Sequence, residues 1–200
     1  LGLCRERDST YYGHGTHVSG IAAGNGRATG NGKPPFTYVG VAPRARLAVV
    51  NTTFYDTQIA EGVAWIFQKA AQLNLPAVAN LSLGSAYGPH DGTSELDVAM
   101  NALSGPGRIV VAAAGNENGL ASHGEGNAPP TGFQLMTFRI FGYTPRPTAP
   151  DGLSIDGWYE GGDDLALTIK TPSGTLVGPV SKGGTLAMPT PDGWVSIDQT

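Results

Sequence analysis

The 200-residue sequence is poor in cysteine, in charge and in long apolar runs, and each scarcity limits what the chain can be. A single cysteine, Cys4, cannot form an internal disulfide, so it does not indicate a redox compartment. Charged residues make up 14% of the chain and the net charge is −4, which provides no basic surface for nucleic acid. No stretch approaches the roughly 18 to 20 continuous apolar residues of a membrane helix, and the first ten residues lack a secretion-signal pattern. The sequence therefore predicts neither a nucleic-acid partner nor a transmembrane segment.

Glycine and proline are abundant instead, at 30 and 15 residues, and they crowd the segments between apolar runs. Up to about residue 119, short apolar runs alternate with stretches of helical period. This pattern is typical of an α/β fold, a parallel sheet flanked by helices. The predicted elements are a helix over 14–23, a strand over 46–52, a helix over 57–73 capped by Thr57, a strand over 77–83, a helix within 94–105 and a strand within 108–115.

After residue 120 the pattern changes to period-2 runs between turns rich in Pro, Gly and Asp. Leu165, Leu167 and Ile169 alternate with less apolar residues, and the segment TPSG (171–174) predicts a turn before a strand in TLVGPV. Further strands are predicted at 134–142, 153–160 and 193–198. We therefore divide the chain into an α/β domain over 1–125 and an antiparallel β-sandwich or jelly-roll-like element over 126–200.

Two short segments contain residue types suited to catalysis. His14 stands at the head of the first predicted helix, and imidazole suits a base that works near neutral pH. Asn116 follows a buried strand and Gly115, where its amide would donate a hydrogen bond into a cleft, as in an oxyanion hole. A lone histidine is more often structural, and an Asn/Gly pair is more often a turn. Neither segment is decisive alone.

Four motifs in the order GHGTHVSGIAAG, VGVAPRARLAVV, ANLSLG and VVAAAGNEN resemble the subtilisin-like serine proteases, or subtilases, over about residues 11–119. The resemblance implies that His14 is the general base of a Ser-His-Asp triad and that Asn116 is the side-chain oxyanion donor. It also implies which residues bind substrate: Ser82, Leu83 and Gly84 as the edge that pairs with the substrate backbone, and Ala113, Ala114 and Gly115 as walls of the primary specificity pocket. The implied activity is hydrolysis of peptide bonds in polypeptides by an extracellular or cell-surface enzyme.

The other two members of the triad do not match. The family's aspartate stands in an Asp-(Ser/Thr)-Gly turn after an apolar strand, whereas Asp8 has neither the strand nor the glycine. The family's serine lies in Gly-Thr-Ser-x-(Ala/Ser)-x-Pro after the oxyanion Asn. Gly92-Thr93-Ser94 comes before it and is followed by acidic residues, so we interpret Ser94, with Asp97 three residues later, as a helix cap.

The chain alone is therefore predicted to be inactive. We expect it to be an interior segment of a longer serine endopeptidase, whose other parts, or a propeptide, would be its partners. The alternative is a pseudoprotease or peptide-binding module without catalysis. The segment WYEGGDDLALTIKTPSGTLVGP resembles jelly-roll segments inserted in some bacterial subtilases, including germination proteases of spore formers, and more loosely the P domain of kexin-like convertases.

No cofactor is predicted. His14 and His17 are spaced i, i+3 without the intervening Glu of zinc protease helices, so we predict no metal there and interpret His17 as a buried packing residue. Glu160, Asp163 and Asp164 are compatible with a structural calcium ion, but their spacing favours a solvated acidic turn.

Overall fold

The computed structural model describes residues 13–28, 32–142, 144 and 151–200. The chain divides into two compact units, Leu1–Ser154 and Ile155–Thr200. None of the helices among the described residues combines the length and the hydropathy that a membrane span requires. The elements in chain order are α1 (His14–Ala23), α2 (Asp56–Gln72), β1 (Ala77–Leu81), α3 (Glu95–Leu103), β2 (Arg108–Ala112), β3 (Ala166–Lys170), β4 (Leu176–Ser181), β5 (Gly184–Thr190) and β6 (Gly193–Gln199).

The α/β organisation of the first unit is confirmed. Strands β1 and β2 pair in parallel, with Ala77 opposite Arg108 and Leu81 opposite Ala112. Helix α2 buries the face predicted from its apolar spacing, with Val63 and Phe67 packed against Ala79 of β1. Apolar side chains of α3 and both strands complete this cluster: Ile66, Ala77, Leu81, Met100, Leu103 and Val110. The helices therefore cover the strand pair as an α/β arrangement requires.

The start of α2 differs from the prediction by one residue. The helix begins at Asp56, so Thr57 lies inside its first turn, and Tyr55 at the N-cap makes no side-chain cap bond. The carbonyl of Tyr55 accepts the main-chain N–H groups of Gln58 and Ile59 at 2.9 and 3.0 Å. Asp56 instead places a negative charge in the first turn, which favours the N-terminus of a helix. The prediction that Thr57 caps this helix is wrong.

Three predicted strands, at 46–52, 134–142 and 153–160, do not form. Their apolar side chains are largely exposed, as at Val49, Phe138 and Trp158. A strand needs a ladder partner for its main-chain groups, and within the described residues none pairs with these segments. The composition of these segments suits a half-buried sheet face, but it does not specify a neighbouring strand with which they could pair.

The second unit contains two antiparallel hairpins. Strands β3 and β4 are joined through the predicted TPSG turn, which is closed by the main-chain N–H of Gly174 donating to the carbonyl of Thr171 at 2.9 Å. Strands β5 and β6 pair from Gly184 opposite Gln199 to Thr190 opposite Gly193. Sequence reasoning predicted β3, β4 and β6 but did not identify β5.

A separate apolar core holds the two hairpins together. Val177 and Val180 of β4 and Ile197 of β6 are buried, with Leu186, Met188 and Val195 packed against them. The alternating burial along β5 is that of a strand with one covered face. A sandwich or jelly roll over 126–200 stays a prediction, as does the boundary between residues 125 and 126.

Candidate functional site at the carboxyl edge of the parallel strands

The predicted substrate-binding segments leave the parallel strand pair at the same edge. Since Leu81 lies opposite Ala112, the segments that follow both strands begin side by side. The main-chain N–H of Ala113 donates to the carbonyl of Leu81 at 3.0 Å, which extends the pairing one residue beyond β2. In parallel sheets, ligands bind outside the carboxyl ends of the strands. The segments 82–84 and 113–116 therefore both start at the edge where a ligand is expected.

Helix α1 lies against this edge. An open hollow of about 230 Å³ is lined by Val18, Ile21 and Ala22 of α1, by Val41, and by Asn80 and Ser82 at the end of β1. His14 does not line the hollow, but it precedes Val18 by one helical turn and Ile21 by two. Residues spaced i, i+4 and i+7 share one face of a helix. His14 is therefore on the face of α1 that is turned toward the β1 edge.

The segment 40–42 holds the carboxyl end of α1. The main-chain N–H groups of Gly40, Val41 and Ala42 donate to main-chain carbonyls at the carboxyl end of α1, at 2.8 to 2.9 Å. These three bonds satisfy carbonyls that would otherwise lack partners at a helix end. The motif VGVAP thus fixes the helix that carries His14.

His17 is exposed, so the prediction that it is buried is wrong. Only Ala23 is buried along α1, because the first two turns of the helix are covered little by the described residues. Half of the ten residues of α1 are Gly, Ser or Ala, so the helix itself provides few large side chains to cover His17.

The predicted site residues differ in burial. Leu83 is half-buried, whereas Ser82, Gly84 and the segment 113–116 are exposed. His14 is exposed as well. The described part of the chain thus leaves this edge open.

Two residues near the site were missed by sequence reasoning. The Asn80 side-chain amide donates to the Ser82 hydroxyl at 2.9 Å, so Asn80 supports the segment predicted to pair with substrate. The Glu117 carboxylate accepts the main-chain N–H of Asn116 at 2.7 Å. The signal for Asn80 is a polar residue within an otherwise apolar strand. For Glu117, the signal is a carboxylate beside Gly-Asn, a pair that forms tight turns.

Ser94 is a helix cap, as predicted. Its hydroxyl oxygen accepts the main-chain N–H of Asp97 at 3.2 Å, and its O–H donates to the Asp97 carboxylate at 2.7 Å. The preceding Thr93 is engaged similarly: its hydroxyl and main-chain N–H both donate to Asp91, at 2.6 and 2.9 Å. These hydrogen bonds to Thr93 lower the pKa of Asp91. Both hydroxyl groups of this Gly-Thr-Ser segment are therefore used locally at the start of α3.

Asp8 and Cys4 lie outside the described residues. Among the described residues, no three His, Cys, Asp or Glu side chains gather where they would hold a metal ion.

Comparisons of the sequence with known proteins agree on one family. The model of the Subtilase family (Peptidase_S8) matches residues 5–137. Subtilisin-like protease 3 of Pseudogymnoascus destructans is 32% identical, over 84% of this chain and 40% of that protein. Subtilisin BL of Lederbergia lenta is 38% identical over 52% of this chain and 35% of that protein, and subtilisin-like protease PopC of Myxococcus xanthus is 37% identical over 44% and 18%.

A solved structure, the CspB protease of Clostridium perfringens, shares 31% identity over 55% of this chain and 24% of that chain, with a TM-score of 0.38. The chain thus spans less than half the length of the curated relatives described above.

Proposed function

Because the chain belongs to the subtilase family, we propose that it supplies the general base and the oxyanion donor of a serine endopeptidase that hydrolyses peptide bonds in polypeptides. The general base is His14 and the oxyanion donor is Asn116. The serine nucleophile and the orienting aspartate lie in parts of the protein beyond these 200 residues, so the chain alone is inactive.

One observation carries this proposal: three segments with separate roles meet at one edge of the parallel strands. The segment 82–84 follows β1, the segment 113–116 follows β2, and α1 lies against Asn80 and Ser82 with His14 on the same face. These segments are far apart in sequence. The carboxyl edge of parallel strands is where ligands bind, so the meeting of these segments there supports a binding or catalytic role.

The chemistry at this edge follows from the groups present. His14 removes the proton of the serine hydroxyl as the serine oxygen bonds to the scissile carbonyl carbon. Asn116 donates its side-chain amide to the negative charge that develops on the carbonyl oxygen. When the C–N bond breaks, the protonated His14 returns the proton to the leaving amine, and the acyl group stays on the serine as an ester. Water then attacks this ester with His14 as base, and the proton goes back to the serine oxygen as the acid product leaves.

The segment 82–84, exposed at Ser82 and Gly84, binds the substrate as an added strand, through main-chain hydrogen bonds that do not depend on side-chain identity. Asn80 holds Ser82 in place for this contact. Ala113, Ala114 and Gly115 line the pocket that receives the substrate side chain, because small residues leave room for it.

We extend the proposal to the rest of the chain. Residues 126–200 form a β-sandwich or jelly-roll-like insertion, supported by the two antiparallel hairpins of the second unit. The enzyme works outside the cell or at its surface and uses no catalytic cofactor, and its natural partners are polypeptide substrates and a propeptide. Glu160, Asp163 and Asp164 form a solvated acidic turn.

The test uses the full-length protein and a fluorogenic peptide substrate. His14→Ala should abolish most turnover, since the serine then lacks its base. Asn116→Ala should lower kcat by about 10²- to 10³-fold, the range found when one such donor is removed from a subtilisin. Ser94→Ala is the matched control, because Ser94 caps α3 and should leave kcat unchanged.

Labelling with a fluorophosphonate probe provides a second readout. The full-length protein should label at a serine outside residues 1–200, and the isolated chain should not label. Labelling at Ser94, or full activity of His14→Ala, would overturn the proposal. Peptide binding by the wild-type protein without any turnover would instead support a binding module without catalysis.

A further inference from the structure

The loop after β2 is organised by Glu117, which makes one hydrogen bond on each side of itself. Its carboxylate Oε2 accepts the main-chain N–H of Asn116 at 2.7 Å. Its main-chain carbonyl accepts the N–H of Leu120 at 3.0 Å, which closes the next turn. At its start, the loop is anchored by the hydrogen bond from the Ala113 main-chain N–H to the Leu81 carbonyl. Asn116 thus lies between an anchored strand end and a turn closed by Glu117.

Gly115 makes room for this carboxylate. Its φ is +91°, a conformation that side chains rarely adopt, and a Cβ built at this position would lie 2.5 Å from Glu117 Oε2. The carboxylate therefore occupies the space that any other residue at 115 would fill. A main-chain N–H bound to a charged carboxylate forms one of the stronger hydrogen bonds in proteins. The conformation of Gly115 and the bond to the Glu117 carboxylate thus both act on the main chain at Asn116.

We propose that Glu117 is a positioning residue that aims Asn116 at the reacting carbonyl. This inference rests on the proposed function, in which Asn116 is the oxyanion donor. A donor of this kind must be held within about 0.5 Å of its productive position, and its own rotamer can be fixed only if its main chain is fixed. Glu117 acts through Asn116 and does not itself touch the reacting atoms.

The test is a double-mutant cycle between Glu117 and Asn116 in the full-length protein. The substrate carries an uncharged side chain at the residue before the cleaved bond, so that loss of negative charge near the pocket has little direct effect. Glu117→Ala should lower kcat about tenfold, because a misplaced catalytic group loses rate steeply. KM should stay within about twofold, the pattern of an interaction made only in the transition state.

Two further variants separate positioning from a general structural role. Glu117→Gln retains a side-chain oxygen that can accept the Asn116 N–H, so it should recover most of the lost kcat. In the Asn116→Ala background, Glu117→Ala should cause no further loss, because the group that it positions is gone. Circular dichroism and thermal unfolding confirm that each variant is folded before its kinetics are compared.

Three results would overturn the inference: a kcat of Glu117→Ala equal to wild type, a loss confined to KM, or the same tenfold loss in the Asn116→Ala background. Each of these leaves the proposed function intact if Asn116→Ala itself remains slow. If Asn116→Ala retains full kcat, the proposed function fails first, and Glu117 then has no donor to position.

Discussion

At the scale of single residues, Asp192 connects the two hairpins of the second unit. Its carboxylate, in the turn between β5 and β6, accepts the main-chain N–H of Ser173 in the turn between β3 and β4, at 2.9 Å. Hydrogen bonds from the side chain of Ser173, the side chain of Thr171 and the main chain of Ser173 lower the pKa of Asp192. One exposed carboxylate therefore links turns that are nineteen residues apart.

This link makes a pH-dependent contribution to stability. Because the folded-state pKa of Asp192 lies below the unfolded value of about 3.9, the charged form stabilises the fold above that pH and the contribution is lost as pH falls further. Asp192→Asn should lower the exchange protection of the Ser173 amide at pH 6, with the difference from wild type narrowing toward pH 2. Hydrogen exchange followed by NMR measures this.

The control for that experiment is Asp198→Asn, which removes one exposed carboxylate from β6. If both variants change the protection of Ser173 equally, the effect comes from net charge and the link has no specific role.

Residue roles were predictable from the sequence where they depend on near neighbours. The cap formed by Ser94 follows from Asp97 three residues later and the acidic first turn of α3, all within one segment. The burial of His17 depends on what packs over α1, which the sequence near His17 does not specify. The contact between Glu117 and Asn116 is local, but it depends on the conformation of Gly115. The φ angle of a glycine cannot be derived from the composition of the segment around it.

At the scale of elements, the close approach of the segment 40–42 holds the carboxyl end of α1, the helix that begins with His14. Gly40 is buried, and a Cβ built on it would lie 2.4 Å from the main-chain nitrogen of Gly24 and 2.7 Å from the carbonyl oxygen of Gly20. Both contacts are to main-chain atoms, which cannot move aside as a flexible side chain can. The helix that carries His14 is therefore fixed by a glycine in a different segment.

Gly40→Ala should destabilise the protein by about 1–3 kcal/mol, the usual cost of overpacking, and lower kcat/KM because α1 is displaced. Gly20→Ala is the matched control: Gly20 lies within α1 with no atom within 4 Å of its built Cβ. Alanine is favoured over glycine in a helix by about 1 kcal/mol, so this variant should be as stable as wild type or more so and keep its activity. Thermal unfolding and peptide hydrolysis measure both effects. Equal loss in the two variants would contradict the packing argument.

The helices were predicted more accurately than the strands, for a physical reason. The bounds of α1 match the prediction, and α2 and α3 differ from it by one or two residues, because helical hydrogen bonds are made within the segment. A strand depends on a neighbour that can be far away in sequence. The segment 46–52 has the apolar content of a strand and pairs with none of the described residues, whereas β5 pairs with β6 despite a proline at position 189.

At the scale of the whole chain, family membership and the α/β class were both predictable. Four motifs in the family's order indicate the family, and apolar runs that alternate with helical periods indicate the class. The side-by-side start of the segments that follow β1 and β2 also follows from parallel topology, since paired parallel strands present their carboxyl ends at the same edge. The arrangement of the strands in the last third of the chain was harder to predict from the sequence. Turn residues such as those of TPSG mark hairpin ends, but they do not specify which hairpins pack together or how many strands a layer has.

The two units have separate cores, and their local stabilities should respond independently. Phe67 is buried in the first core and Val177 in the second. Phe67→Ala should cost about 3–5 kcal/mol, and Val177→Ala about 2 kcal/mol from the lost transfer energy of its methyl groups plus a cavity term. Hydrogen exchange with mass spectrometry on the full-length protein should show each loss in peptides of one unit: α2 and β1 for the first variant, β4 and β6 for the second. Loss of protection in both units from either single variant would show that the cores are coupled and that the chain unfolds as one cooperative body.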